Sequence, residues 1–388
     1  MRKKVVLLIL GLLLLLFCGG YATVYASDKE TSADVSELID NLDLSALDEY
    51  LASLGEIYGG EVGLSAGEYL KAVINGDKNF DIDMLVSLVF SSLSQTRNLV
   101  SIASLLISIC IIWSLVSGIE FKSNTNSAKK AVNIACFSIM SVIVLYWLYS
   151  LVRDAGRFFD DIQRLCNAVF PIFLTLLSAS GAASSASALS PAAALFSVTL
   201  ISIVKNFVLP VAIAVLVLSV VGNIGEDMPL GGLAGALESV AGWVIKTGFF
   251  VFAAFLGTQG MFTGINDSVS LRLGKFALSK YVPIIGGYLS DGFNYVLAGS
   301  VVIKNALGIT CVIMIFIRAL PVFVSLVMAS LTLKMTAAVA EPLGISAAAN
   351  ALSKAESSIK IVRAAVIGCA FLLIIFIAAV MMCGNTVL

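Results

Sequence analysis

Between Leu165 and Gly225 the chain carries a single charged residue, Lys205. No water-soluble fold needs so long an uncharged run, and apolar stretches of about 20 residues recur on both sides of it, the length a helix needs to cross the hydrocarbon of a bilayer. The composition agrees: of 388 residues, 59% are hydrophobic and 13% charged, and the mean hydropathy is +1.00. Most of such a chain belongs in lipid, where only helices and closed barrels satisfy their own backbone. The spacing predicts an all-α polytopic membrane protein with about eight transmembrane helices.

The N-terminus is of another kind. MRKKVVLLILGLLLLLFCGGYATVYA joins a basic start (Arg2, Lys3, Lys4) to a short apolar core and a small-residue exit at Ala26. Residues 1–26 read as a secretory signal peptide cut after Ala26. An uncleaved anchor is the rival, and a lipoprotein signal at Cys18 is disfavoured by the bulky Phe17 before it.

A net charge of −1 conceals an asymmetry. Residues 27–97 carry 14 acids and 4 basic residues, whereas 98–388 carry 11 acids and 17 basic residues. An acidic exported segment on a mildly basic membrane body follows from the cytoplasmic bias of Lys and Arg. Nothing in the balance points to nucleic acid. Histidine is absent, which removes the usual metal ligand and the usual general base near neutral pH. The seven cysteines form no CxxC pair and read as apolar fillers. No metal site and no cofactor is expected.

Residues 27–97 predict a small extracytoplasmic helical region. Val35, Leu38, Ile39, Leu42, Leu47 and Leu51 lie near helical spacing, and Ser65 with Glu68 forms a capping box. So short a segment is expected to lean on the membrane or on partners. Two transmembrane helices follow within 98–152, with Lys122, Lys129 and Lys130 between them. RDAGRFFDDIQR, residues 153–164, reads as a short interfacial helix whose Phe158, Phe159 and Ile162 touch lipid. Its three arginines fall on the outer side, against the charge rule. The small-residue stretch Ser178 to Pro191 reads as a loop or a tight helix contact.

The remainder divides into two similar parts. Pro171-Ile172 matches Pro283-Ile284, Leu209-Pro210-Val211 matches Leu320-Pro321-Val322, and Pro229-Leu230-Gly231 matches Pro342-Leu343-Gly344. Ala236-Leu237 pairs with Ala351-Leu352, and Ile245-Lys246 with Ile359-Lys360, all at offsets of 111 to 115 residues. Residues 165–266 and 281–388, joined by a basic cytoplasmic loop at 267–280, are thus expected to be three-helix repeats. An odd number of crossings in each would invert the second. The competing explanation is shared apolar composition.

In each half a cation precedes a proline: Lys205 before Pro210, and Arg318 before Pro321. Proline removes a backbone donor, and a buried cation needs a carboxylate or a cavity. Asp291 lies in an apolar stretch beside Asn294, in the helix expected just before Arg318, and is the nearest candidate partner for it by sequence. Lys205, Pro210, Asp291, Asn294, Arg318 and Pro321 are therefore the candidate intramembrane polar and hinge residues. They either line a solvated path or fix helix register. The glycine pairs Gly231/Gly235 and Gly260/Gly264 read as helix contacts. With no nucleophile–base pair, no second facing aspartate and no phosphate-binding loop, an enzyme is not expected.

The stretches VGNIGEDMPLGGLAG, GTQGMFTGINDS and YVPIIGGYLSDGFNYVLAGSVVIKNALGI, together with the leader and the short acidic exported region, resemble the stage III sporulation protein AE family. The resemblance spans essentially the whole chain and carries no catalytic motif. It implies a multi-pass protein of the mother-cell membrane around the forespore, with its N-terminal region in the intermembrane space. It further implies work beside other stage III A proteins, including an ATPase and ring-forming subunits, and indirectly beside stage II sporulation protein Q. The implied function is a permease-like or export-gate subunit of a trans-envelope channel that maintains the forespore and its late gene expression. A stand-alone secondary transporter of a small solute and a structural scaffold are the alternatives.

Overall fold

The computed structural model describes residues 29–58, 65–74, 97–118, 126–223, 230–281 and 286–383. Among them every regular element is helical: α1 (Lys29–Asp40), α2 (Ser45–Tyr58), α3 (Ala66–Ile74), α4 (Arg97–Gly118), α5 (Asn126–Ala179), α6 (Ala183–Val221), α7 (Leu230–Tyr281), α8 (Gly286–Ala340) and α9 (Ser346–Met382). The signal-peptide reading of 1–26 lies outside the described residues.

The N-terminal helices form as their sequence demands. Val35, Ile39, Leu47, Leu51, Leu70 and Ile74 are buried together. Ser65 and Glu68 exchange the two bonds of a capping box, Ser65 N–H to Glu68 Oε2 at 3.0 Å and Glu68 N–H to Ser65 Oγ at 3.3 Å. Before α2, Asp43 accepts bonds from the Ser45 hydroxyl and N–H, which hold its carboxyl below the usual range. This small unit leans on the membrane body: α1 and α3 pack on α8, and α2 on α5. Gly299 makes room for it, since a Cβ there would come within 2.5 Å of Leu38 Cδ1.

Six of the described helices are long and apolar enough to cross a membrane, α4 to α9. Two expected pairs of spans are fused. Residues 131–152 and 165–179 belong to one helix, α5, whose 54 residues measure about 80 Å at 1.5 Å per residue. The separate interfacial helix expected at 153–164 is its middle. Phe158, Phe159 and Ile162 do not touch lipid; they are enclosed in the bundle. Apolar spacing fits either burial, and the neighbouring helices supply the protein one. Likewise α8 runs unbroken through 55 residues, where two spans were expected.

Consequently the two halves connect differently. The first contains a tight reversal at Ser180–Ala182, inside the stretch read as a loop or helix contact. The reversal is closed by Gly181 at φ 79° and by an Ala182 N–H to Leu177 carbonyl bond of 2.9 Å. From Ala183 that stretch is helix packed against α5 and α7. In the second half the corresponding kind of turn joins α8 to α9, with Gly344 at φ 75° and Ile345 N–H bonded to the Ala340 carbonyl at 3.1 Å. Ser114 of α4 donates to the Leu343 carbonyl in this turn at 3.1 Å.

The central element is α9, which packs on α5, α6, α7 and α8. A chain of rings crosses the core there. Phe170 of α5 lies 4.7 Å from Phe376 of α9, Phe376 lies 6.5 Å from Phe252 of α7, and Phe252 lies 5.0 Å from Phe196 of α6. Cys110, Cys166, Cys311 and Cys369 are buried and free, as their apolar settings suggested.

Candidate functional site

Consecutive residues on a helix point about 100° apart, and Asp160 and Asp161 of α5 use that divergence to reach two neighbours. Asp160 pairs with Lys205 of α6, and Asp161 pairs with Arg318 of α8. The two cations singled out from matched positions of the two halves therefore meet adjacent acids on a third helix. The settings differ: Lys205 and Asp160 are 39% and 40% exposed, Arg318 and Asp161 only 11% and 15%.

The local backbone differs as well. Two segments of α6, Leu195–Leu200 and Val204–Val208, are π-helical, with bonds spanning five residues. Lys205 lies in the second. Leu209 donates to the Val204 carbonyl, and Pro210 has no N–H, so neither an α-type nor a π-type donor reaches the Lys205 carbonyl. Such widened turns collect where a helix is under functional constraint. By contrast Pro321 is carried inside the unbroken α8.

A second ionic group lies on the same helices. Glu356 of α9 is buried, accepts a bond from Ser330 Oγ at 2.5 Å, and lies 3.2 Å from Lys334 and 3.9 Å from Arg363. Further along, fully buried Lys304 of α8 donates to the Cys383 carbonyl at the end of α9, where a helix presents unsatisfied carbonyls.

Of the candidate residues, the structure brings Lys205 and Arg318 to the α5 aspartates, and sets Pro210 and Pro321 five and three residues beyond them. Asp291 and Asn294 lie where α8 is described but its side chains are not. Asp161 takes the place beside Arg318 that chain order had suggested for Asp291. Among the described residues Gly231 and Gly235 do not bring two helix backbones together. A Cβ on Gly235 would meet nothing within 4 Å, and one on Gly231 would meet only the Lys354 side chain, at 3.2 Å from Nζ. Gly260 and Gly264 fall outside the described side chains.

The reading from sequence missed Asp160, Asp161, Glu356 and the burial of Lys304. One signal was available. The segment 153–164 holds as many acids as arginines, and a surface helix against a bilayer has no use for acids.

The family profile described as stage III sporulation protein AE matches residues 64–384. Stage III sporulation protein AE of Bacillus subtilis (strain 168) is 26% identical over 386 residues, which cover 98% of this chain and 96% of the relative. No solved structure matches. The profile covers most of the chain, membrane body included, and the chain belongs to the stage III sporulation protein AE family, with the role in sporulation that the family name carries.

Proposed function

We propose that this chain is the permease-like or export-gate subunit of a trans-envelope complex between mother cell and forespore. It sits in the mother-cell membrane with its leader removed and residues 27–97 in the intermembrane space. Its partners are the other stage III A proteins, an ATPase and ring-forming subunits among them, with stage II sporulation protein Q reached indirectly.

One observation carries the reading. A cation from each half, each followed by a proline, converges on neighbouring aspartates of one central helix. Ionised groups inside a membrane bundle are costly, and a scaffold gains little from two such pairs side by side. A layer of charge pairs that separate and re-form is what a gate across a membrane path needs. Lys205 is the movable member, because its pair is partly exposed and its helix already lacks a backbone bond at that point.

The test is spore formation. Chains carrying Asp160→Asn, Lys205→Gln or a charge swap of that pair are expressed at the chromosomal level in place of the natural one. Loss of heat-resistant spores, at normal membrane levels of the protein, is the expected result. Normal spore counts from all three overturn the gate and leave a scaffold.

A further inference from the structure

The outward face of α5 changes character once along its length. Ile139, Val142, Tyr146 and Tyr149 share one face and are 57%, 66%, 79% and 49% exposed. At about 100° per residue the same face continues through Arg153, Arg157, Asp160, Arg164, Asn167 and Pro171, and ends at Ser178. All but half-buried Asp160 are exposed, and the Arg157 side chain is 66% so. The order is apolar residues, a pair of tyrosines, then only polar or small residues. Meanwhile the apolar residues of the same stretch, Phe170, Ile172, Phe173, Leu176 and Leu177 among them, face inward.

The tyrosine-to-arginine order is that of a membrane interface, and a headgroup layer would account for Arg153 and Arg157. It does not account for the rest. A headgroup region adds about 5–8 Å on each side of the hydrocarbon, whereas Arg164 lies about 16 Å and Asn167 about 21 Å beyond Arg153 along the axis. Ser178 returns its hydroxyl to the Leu174 carbonyl, so it alone would be tolerated in lipid. Arg164 and Asn167 have no such remedy.

A hairpin standing clear of the membrane does not fit either. The rings of Phe170, Phe376 and Phe252 meet in the core and set one height across α5, α9 and α7. At that height α7 turns Phe250 and Val251 outward, 73% and 59% exposed, a surface suited to lipid. Across the bundle α5 turns out Asn167 and Pro171. Two faces at one level, one apolar and one polar, describe a wall with lipid behind it and water in front.

We propose that the stripe from Arg153 to Ser178 on α5 lines a water-filled path, and that its arginines make the path favour anionic solutes. This rests on the permease-like reading and names its substrate class. Asp160, on the stripe itself, and Asp161 do not cancel its charge, because Lys205 and Arg318 neutralise them. Asp154 offsets only Arg157, at 3.2 Å, so Arg153 and Arg164 keep a net positive field along the face.

The experiment is thiol accessibility in the full chain, in unsealed membranes from gently broken sporulating cells, so that partners are kept and reagent reaches both faces. Single substitutions Asn167→Cys, Thr175→Cys and Ser178→Cys are compared with Val142→Cys and Phe250→Cys, on a background in which half-exposed Cys136 and Cys383 are serine. Membrane-impermeant methanethiosulfonates of either charge are applied, and each rate is divided by that for free cysteine in water. The three stripe sites are expected to react while Val142→Cys and Phe250→Cys stay inert. The negative reagent is expected to be favoured by at least about tenfold, and the preference is expected to vanish with Arg153→Gln and Arg164→Gln together. Silence at all three stripe sites, with Arg157→Cys still labelled, overturns the path in favour of a headgroup ladder. Reaction without charge preference overturns the anionic assignment. None of these readouts involves spore yield, so a failure here is separable from a failure of the gate.

Discussion

The two halves of the membrane body carry the same short signature, a cation and then a proline, and set it in different surroundings. Lys205 stands on a helix widened twice and pairs at the surface of the bundle; Arg318 stands on an unbroken helix and pairs inside it. On α8 and α9 a Cβ at Gly308 would overlap Met381, and one at Gly368 would overlap the Phe249 ring. On α7 the glycines at 232, 235, 242 and 257 have nothing within 4 Å of the added atom. These glycines of α7 lie toward its outer face, and those of α8 and α9 between helices. The charge pairs separate an enclosed second side from a more exposed first one, and opening costs less at the exposed pair.

The sharpest way to break the comparison is to remove the enclosed cation. Arg318→Leu leaves the Asp161 carboxylate enclosed without its guanidinium, and about 3–5 kcal/mol of stability is expected to go. Lower membrane accumulation and a lower melting temperature in detergent are the readouts. Replacing both partners, Asp161→Leu with Arg318→Leu, is expected to recover most of the loss, because no charge then remains to be solvated. A double variant as weak as the single would show that the pair is not what distinguishes this side.

How far this contrast could be read from the sequence depends on which neighbour each side chain needed. The helical class was plain in uncharged runs such as 165–204, because lipid leaves the backbone no other solution there. The capping box at Ser65 and Glu68 was legible because all its atoms lie within one turn. Lys205, Pro210, Arg318 and Pro321 stood out because cations and prolines are costly in apolar helices. Their partners did not, since Asp160 lies 45 residues from Lys205 and no local pattern links them. Phe158 and Phe159 suit lipid and protein alike, so their burial was decided by helices far along the chain.

Glu356 sharpens the same contrast at a lower cost. Its bond from Ser330 is charge-assisted and enclosed, and Ser330→Ala is expected to cost about 1.5–3 kcal/mol. Lys334, 55% exposed, would not make good the loss, because it already lies 3.2 Å from the carboxylate. The same detergent melt reads the effect, and an unchanged midpoint would count against an enclosed second side.

Glycine substitutions compare the packing directly. Gly368→Ala forces the Phe249 ring out of its place between α7 and α9, an overpacking cost of about 1–3 kcal/mol. Gly235→Ala meets nothing, and the better helix former is expected to raise stability by up to about 1 kcal/mol. Opposite signs in one melting series are the expected outcome. Equal losses at both sites would erase the distinction between enclosed and outward-facing glycines.

The smallest effect on stability is expected where the functional effect is largest. Lys205→Gln removes a pair that is about two-fifths exposed on both sides, and exposed pairs contribute about 0–1 kcal/mol. The glutamine amide can still donate to Asp160, so the melting temperature of the variant is expected to stay close to that of the natural chain. Spore counts should nevertheless fall, because a neutral donor holds the layer closed without the charge that lets it reopen and close again. Lys205→Arg keeps the charge and should restore spores. A loss of spores matched by an equal loss of folded protein would make Lys205 a structural residue, and would move the opening side of the molecule elsewhere.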